Sequence, residues 1–154
     1  MLLAAGYRLG RVKEQFLRNQ ELDVFVEQLQ AYLRDYGDSI RMPSYLAYRV
    51  DGQRREMPVE NVPAEQMFMD VGSRTIADYE AEIAEARTLF VNGPPGVYEE
   101  TQFEDGTRSI WRAIAAASGF SVIGGGDTVT AAKKFVDLDN IDYVCTAGGA
   151  MVRY

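Results

Sequence analysis

The chain reads as an α/β protein with a mainly parallel sheet, on three observations. Short apolar runs recur in its second half, at Thr88 to Val91, Phe120 to Ile123 and Tyr143 to Thr146. Each runs out into a glycine-rich turn, at Asn92 to Gly96, Gly124 to Gly126 and Ala147 to Ala150. Helix-length stretches separate the runs, and strands joined through helices pair parallel with right-handed crossovers. The expected form is a three-layer αβα, Rossmann-like domain, truncated at both ends.

The elements follow in order. Met1 to Ala5 is apolar and stops at Gly6, the tail of a helix. Gly10 and the polar run after it break the pattern. Leu22, Phe25, Val26, Leu29, Leu33 and Tyr36 then recur at helical spacing, predicting an amphipathic helix that packs on a sheet and ends at Gly37. Ile40 to Val50 is rich in strand formers, although Pro43 is barred from a central hydrogen-bonded position. Asp51-Gly52 is a hairpin signal with Arg54 to Val59 as the returning strand, and Arg54 and Arg55 read as a solvated turn. Met67 to Val71 is a short strand, and Ile76, Tyr79 and Ile83 mark a helix up to about Ala86.

Further on, Thr107 to Ser118 presents Ile110, Trp111 and Ile114 on one helical face, with Trp111 in the core. Val129, Ala132 and Phe135 bury the helix that follows Gly124 to Gly126. Asp137 to Asp142 reads as an acidic connector facing water, not a metal site. Ala147 to Ala150 opens a last helix that Tyr154 cuts off.

Composition narrows the function. Of 154 residues, 47% are hydrophobic and 25% charged, as in an ordinary globular domain. A net charge of −7 and a pI near 4.6 disfavour nucleic acid and anionic membrane as partners. No stretch is long and apolar enough for a membrane span or a signal-peptide core, so a cytoplasmic location is expected. Cys145 has no second cysteine to pair with, and the absence of histidine removes histidine-based triads and histidine-ligated metals.

The centre of the reading is Val122 to Lys134. Gly124, Gly125 and Gly126 let a bulky anion approach the main chain, and the N–H groups of the next helical turn form a phosphate site. Asp127 serves either as that helix's N-cap or as a ligand for Mg²⁺, a hard cation that takes one carboxylate plus phosphate oxygens. Three glycines before a helix are equally a packing turn. The Walker pattern fails because no Gly-Lys pair exists in the chain, and Val129 stands where the dinucleotide fingerprint needs its third glycine. Asn92-Gly-Pro-Pro-Gly-Val-Tyr-Glu99 is stiff enough for a preformed pocket wall. Pro94 and Val97 then lie against a base and Glu99 offers a carboxylate to ribose, or the turn is only a connector with Glu99 in solvent.

The order Asn-Gly-Pro-Pro-Gly-Val-Tyr-Glu, Ile-Gly-Gly-Gly-Asp-Thr, Thr-Ala-Gly-Gly-Ala resembles the nucleotide-binding C-terminal domain of phosphoglycerate kinase. Asp70-Val-Gly-Ser-Arg-Thr75 is similar to that family's Asp-Ile-Gly-Pro-Lys-Thr, and the Cys-Thr-Ala-Gly-Gly-Ala wording is most like archaeal members. The resemblance implies that Asn92, Pro94, Val97 and Glu99 line the adenosine site of ATP or ADP. Gly125, Gly126, Asp127 and Thr128 would serve the phosphates and Mg²⁺, with Asp127 on the metal. Gly148 and Gly149 would present helix N–H groups to the phosphoryl group in transfer. The family reaction is reversible phosphoryl transfer between ATP and 3-phosphoglycerate, giving ADP and 1,3-bisphosphoglycerate, a step of glycolysis.

Ser73 replaces the motif's proline and Ala147 a glycine. The family's Gly-Gly-Ala-Lys segment and the N-terminal domain that holds 3-phosphoglycerate are not found here. The resemblance therefore implies a fragment, residues 1–154 being a partial ATP domain that is inactive alone. The alternative is a standalone or decayed nucleotide-binding module without transferase activity; a nicotinamide-dependent oxidoreductase is disfavoured by the failed fingerprint.

Overall fold

The computed structural model describes residues 1–63 and 66–148, in two compact units, Met1–Gly72 and Ser73–Tyr154. In the first, Met1 to Gly6 is a single turn. Tyr7 N–H donates to Leu2 O and Gly6 N–H to Leu3 O, with Gly6 at φ +89°, the pattern that closes a helix C-terminus. Helices α1 (Arg11–Asn19) and α2 (Val26–Tyr36) follow. The polar run after Gly10 is thus helical, contrary to expectation: it consists of strong helix formers, and Glu14 fastens its start by accepting from Leu9 N–H and pairing with Arg8.

α2 also departs from the reading. None of its residues is fully buried, so it does not pack as a sheet-covering helix among the described residues. Gly37 has φ −54°, so the chain continues right-handed into a short 3₁₀ turn where a left-handed terminating glycine was expected.

Strands β1 (Tyr45–Val50), β2 (Gln53–Pro58) and β3 (Phe68–Val71) form an antiparallel sheet in the order β2-β1-β3. Asp51 and Gly52 both take positive φ, 49° and 76°, the turn that matches strand twist in a two-residue hairpin. Arg54 is not in a solvated turn. Its side chain reaches past β1 to the far strand, where Nη1 lies 2.9 Å from Asp70 Oδ2 and Nη2 donates to Val71 O. Asp70 is fully buried, and the Arg54 guanidinium forks across the sheet to offset its charge. Burial lowers the Arg54 pKa, but the hydrogen bonds to Asp70 and Glu56 more than offset it and leave it raised.

The second unit holds the parallel sheet, in the order β4-β5-β6, with β4 at Thr88–Asn92, β5 at Phe120–Gly124 and β6 at Tyr143–Cys145. Helices α3 (Ser73–Glu85), α4 (Asp105–Ala116) and α5 (Gly126–Phe135) complete it. The expected α/β class and parallel sheet are therefore present, while the upstream sheet is antiparallel. Trp111, Ile110 and Ile114 of α4, Val129, Ala131 and Ala132 of α5, and Ile123 of β5 form one apolar cluster, with Tyr79 and Ile83 of α3 packed against it. Trp111 is core, as its helical spacing predicts.

The acidic connector is not simply solvated. Asp142 Oδ2 accepts from Ser121 N–H at 2.8 Å and from Ser121 Oγ at 3.0 Å, and Asp142 N–H donates back to Ser121 Oγ. Because Val122 pairs with Tyr143, this exchange extends the β5–β6 ladder by one step with side chains in place of main chain. No group of three metal-ligating side chains occurs among the described residues.

Candidate functional site: the glycine rim of the parallel sheet

In a parallel sheet all strands end on the same side, and ligands gather there. In this chain the register sets Asn92 beside Gly124 and Gly124 beside Cys145, so three turns leave the sheet side by side. Gly125 N–H donates to Cys145 O at 3.1 Å, tying the second turn to the third.

Gly125 is the centre of this rim. It has φ +100°, a conformation that side chains rarely adopt. A Cβ added there would meet Asn92 Oδ1 at 3.1 Å, Thr128 Oγ1 at 3.2 Å and Gly148 Cα at 3.5 Å. A Cβ on Gly148 would in turn stand 3.1 Å from Gly125 Cα. Asn92, Gly125, Thr128 and Gly148, from three separate turns, therefore converge within van der Waals reach. Gly149 lies outside the described residues.

α5 starts at Gly126, and its N-cap is Gly125 with no side-chain cap. Asp127 is thus the second residue of the helix and not the N-cap the sequence suggested; the left-handed glycine starts the helix one position earlier. Its carboxylate is exposed and makes no hydrogen bond or ion pair among the described residues. It stands in the first turn, where the helix dipole favours negative charge. Thr128 is 1% exposed, and its Oγ1 accepts from Gly93 N–H at 2.7 Å. It locks the first turn onto the second, a role that no local pattern reveals because the partners are 35 residues apart.

The wall downstream of Asn92 is fixed from outside the motif. Gly96 N–H donates to Thr107 Oγ1, and Lys134 Nζ donates to Tyr98 O and to Glu104 Oε2. The hydrogen bond from Lys134 holds the Glu104 carboxyl below its ordinary pKa. Tyr98 is buried, which raises its phenol pKa, and the carboxylates of Glu99 and Asp127 push it the same way. Glu99 and Asp127 therefore bear on one point of the wall, both exposed, while Pro94 and Val97 stand half-buried further along the turn. Lys134 and Thr107 were missed in the sequence because each acts through a distant main-chain atom.

The phosphoglycerate kinase family profile matches residues 1–154. The chain belongs to that family. It is 40% identical over 152 residues to the phosphoglycerate kinase of Methanopyrus kandleri, covering 99% of this chain and 37% of the relative. It is also 40% identical over 162 residues to that of Halorubrum lacusprofundi, covering 99% and 38%. Among solved structures, phosphoglycerate kinase from Pyrococcus horikoshii OT3 aligns with a TM-score of 0.85 at 32% identity over 98% of this chain and 38% of that one. The enzyme from Coxiella burnetii aligns at 0.84 and 29%, over 99% and 39%. The fold is the three-layer α/β class of these structures, and the chain spans about 37% of the length of the curated relatives it matches. No helix among the described residues is long and apolar enough to cross a membrane.

Proposed function

We propose that the chain supplies the nucleotide half of a phosphoglycerate kinase, binding ATP or ADP with Mg²⁺ at the glycine rim. The whole enzyme would transfer a phosphoryl group reversibly between ATP and 3-phosphoglycerate, in the cytoplasm. The observation that carries this is the convergence of Asn92, Gly125, Thr128 and Gly148, which packs three turns so closely that a Cβ on Gly125 would crowd the Asn92 and Thr128 side-chain oxygens.

In this reading the N–H groups at the start of α5, capped by no side chain, face the phosphates, and the third turn joins them through Gly148. Asn92, Pro94 and Val97 flank the base and Glu99 takes the ribose hydroxyls, on a wall that Lys134 and Thr107 hold still. The uncommitted Asp127 carboxylate fits Mg²⁺, whose contribution when bound is to neutralise phosphate charge. Phosphoryl transfer needs alignment and charge neutralisation more than proton transfer, so a chain without histidine is suited to it. The acceptor 3-phosphoglycerate would be held by the rest of the enzyme, and this chain alone would not turn over.

Calorimetric titration of the chain with ADP, with and without Mg²⁺, tests the assignment. Asp127→Ala should remove the Mg²⁺-dependent gain in affinity, about tenfold or about 1.4 kcal/mol, and leave metal-free binding intact. Equal losses in both titrations would make Asp127 structural, and no nucleotide binding by the unsubstituted chain would end the proposal. Robust 3-phosphoglycerate-dependent ADP formation by the chain alone would overturn the claim that it is inactive.

A further inference from the structure

The chain holds three lysines, Lys13, Lys133 and Lys134. Lys134 is taken by Glu104 and Tyr98, and Lys133 is exposed. Lys13 differs from both. On α1 its neighbours one turn away are Leu9, Phe16 and Leu17, so the stem runs down an apolar stripe. Its Nζ stands 3.4 Å from the centroid of the Phe68 ring, its only recorded partner among the described residues. Glu14, the next residue on α1, is paired with Arg8 and Leu9 N–H. Lys13 lines an apolar pocket of about 490 Å³ with Leu9, Val12, Phe16, Leu17, Met67 and Phe68. Val12, Phe16 and Met67 are exposed at 64%, 58% and 41%, so the pocket opens to solvent.

From this geometry we infer that Lys13 is a reactive-amine site that takes an apolar, preferably aromatic, aldehyde as a Schiff base. A lysine desolvated among apolar side chains is an activated nucleophile. Burial lowers the Lys13 pKa and no carboxylate counters it. The Phe68 face favours the ammonium but is worth only about 0.5–2 kcal/mol, and an arriving aryl ring takes the same face. In the reaction the neutral amine's lone pair attacks the carbonyl carbon and the C=O pair moves to oxygen. The proton shed by nitrogen goes to that oxygen, giving a carbinolamine. Loss of one water leaves the C=N bond, with no change in oxidation state.

The test is reductive alkylation of the chain with substoichiometric benzaldehyde and sodium cyanoborohydride near neutral pH, followed by peptide mass mapping. Lys13 should be benzylated several-fold faster than the exposed Lys133, since the less solvated amine holds more of its neutral form near neutral pH. The preference should vanish in urea, fall with the polar glyceraldehyde, and drop to the Lys133 level in Phe16→Glu. That exposed substitution sets a carboxylate one turn from the amine without opening the core. Equal rates in the folded chain, a preference that survives urea, or the same preference with glyceraldehyde would each overturn the inference. The outcome does not depend on nucleotide binding.

Discussion

The two sheets are held by different forces. Around the antiparallel sheet the fully buried apolar cluster is Leu46, Val59 and Val62, and the centre is polar, with Arg54 stretched from β2 across β1 to a carboxylate with no exposed surface. Around the parallel sheet nine buried residues among those described, from α4, α5, β5 and the adjoining turns, form one apolar cluster, and the polar links sit at its margins. The first sheet therefore leans on directional contacts centred on Arg54 and Asp70, the second more on area removed from water. The rim is built on the second sheet, where the left-handed Gly125 sits against the turns at a position a side chain would not take without strain.

The largest effect should come from cutting the directional pair. Arg54→Met removes the Arg54 guanidinium from the buried Asp70 carboxylate, and removing one partner of a buried pair costs about 3–5 kcal/mol. Since the Arg54 side chain keeps 15% of its surface exposed, the low end, about 3 kcal/mol, is expected. Amide hydrogen exchange should show protection lost in β1 to β3 and retained in β4 to β6. Equal loss in both sheets would show one cooperative unit and erase the contrast.

Overpacking the second unit should give a smaller effect with the reverse pattern. Gly119 lies against the turn after α3, where an added Cβ would stand 2.1 Å from Ala86 O and 2.9 Å from Arg87 C. Both are main-chain atoms that no rotamer change can move, so Gly119→Ala forces a backbone shift, at about 1–3 kcal/mol. Urea unfolding read by the buried Trp111 should report it, and exchange protection in β1 to β3 should stay unchanged.

How legible all this was in the sequence follows the same division. The second unit could be read closely because its signals are local: Ile110, Trp111 and Ile114 share a helical face, and each strand runs into its own glycines. The Asp51-Gly52 hairpin was legible for the same reason, two adjacent residues with positive φ. The first unit was read less well. α1 has no fully buried residue and carries its few apolar side chains among charged ones, and Arg54 looked like surface because its partner Asp70 lies 16 residues on. At the rim the glycines were visible, but the Thr128 to Gly93 lock was not, and Asp127 was placed at the cap because Gly125 was not known to be left-handed.

The smallest effect is also the finest test of the contrast, because Asp142 is a directional link inside the apolar-held unit. The hydrogen bonds from Ser121 N–H and then Ser121 Oγ hold its carboxyl below the ordinary value of 3.8. A depressed folded-state pKa contributes stability that is present above the unfolded value and lost as pH falls through the folded one. Asp142→Asn should therefore be less stable than the parent chain at neutral pH, with the gap closing as pH drops below about 3.8 in urea titrations. Exchange of the β6 amides should quicken while Ile123, with its side chain fully buried in the cluster, stays protected. A gap independent of pH would assign the loss to packing, and loss of protection at Ile123 would mean that the parallel sheet, like the antiparallel one, leans on its directional contacts.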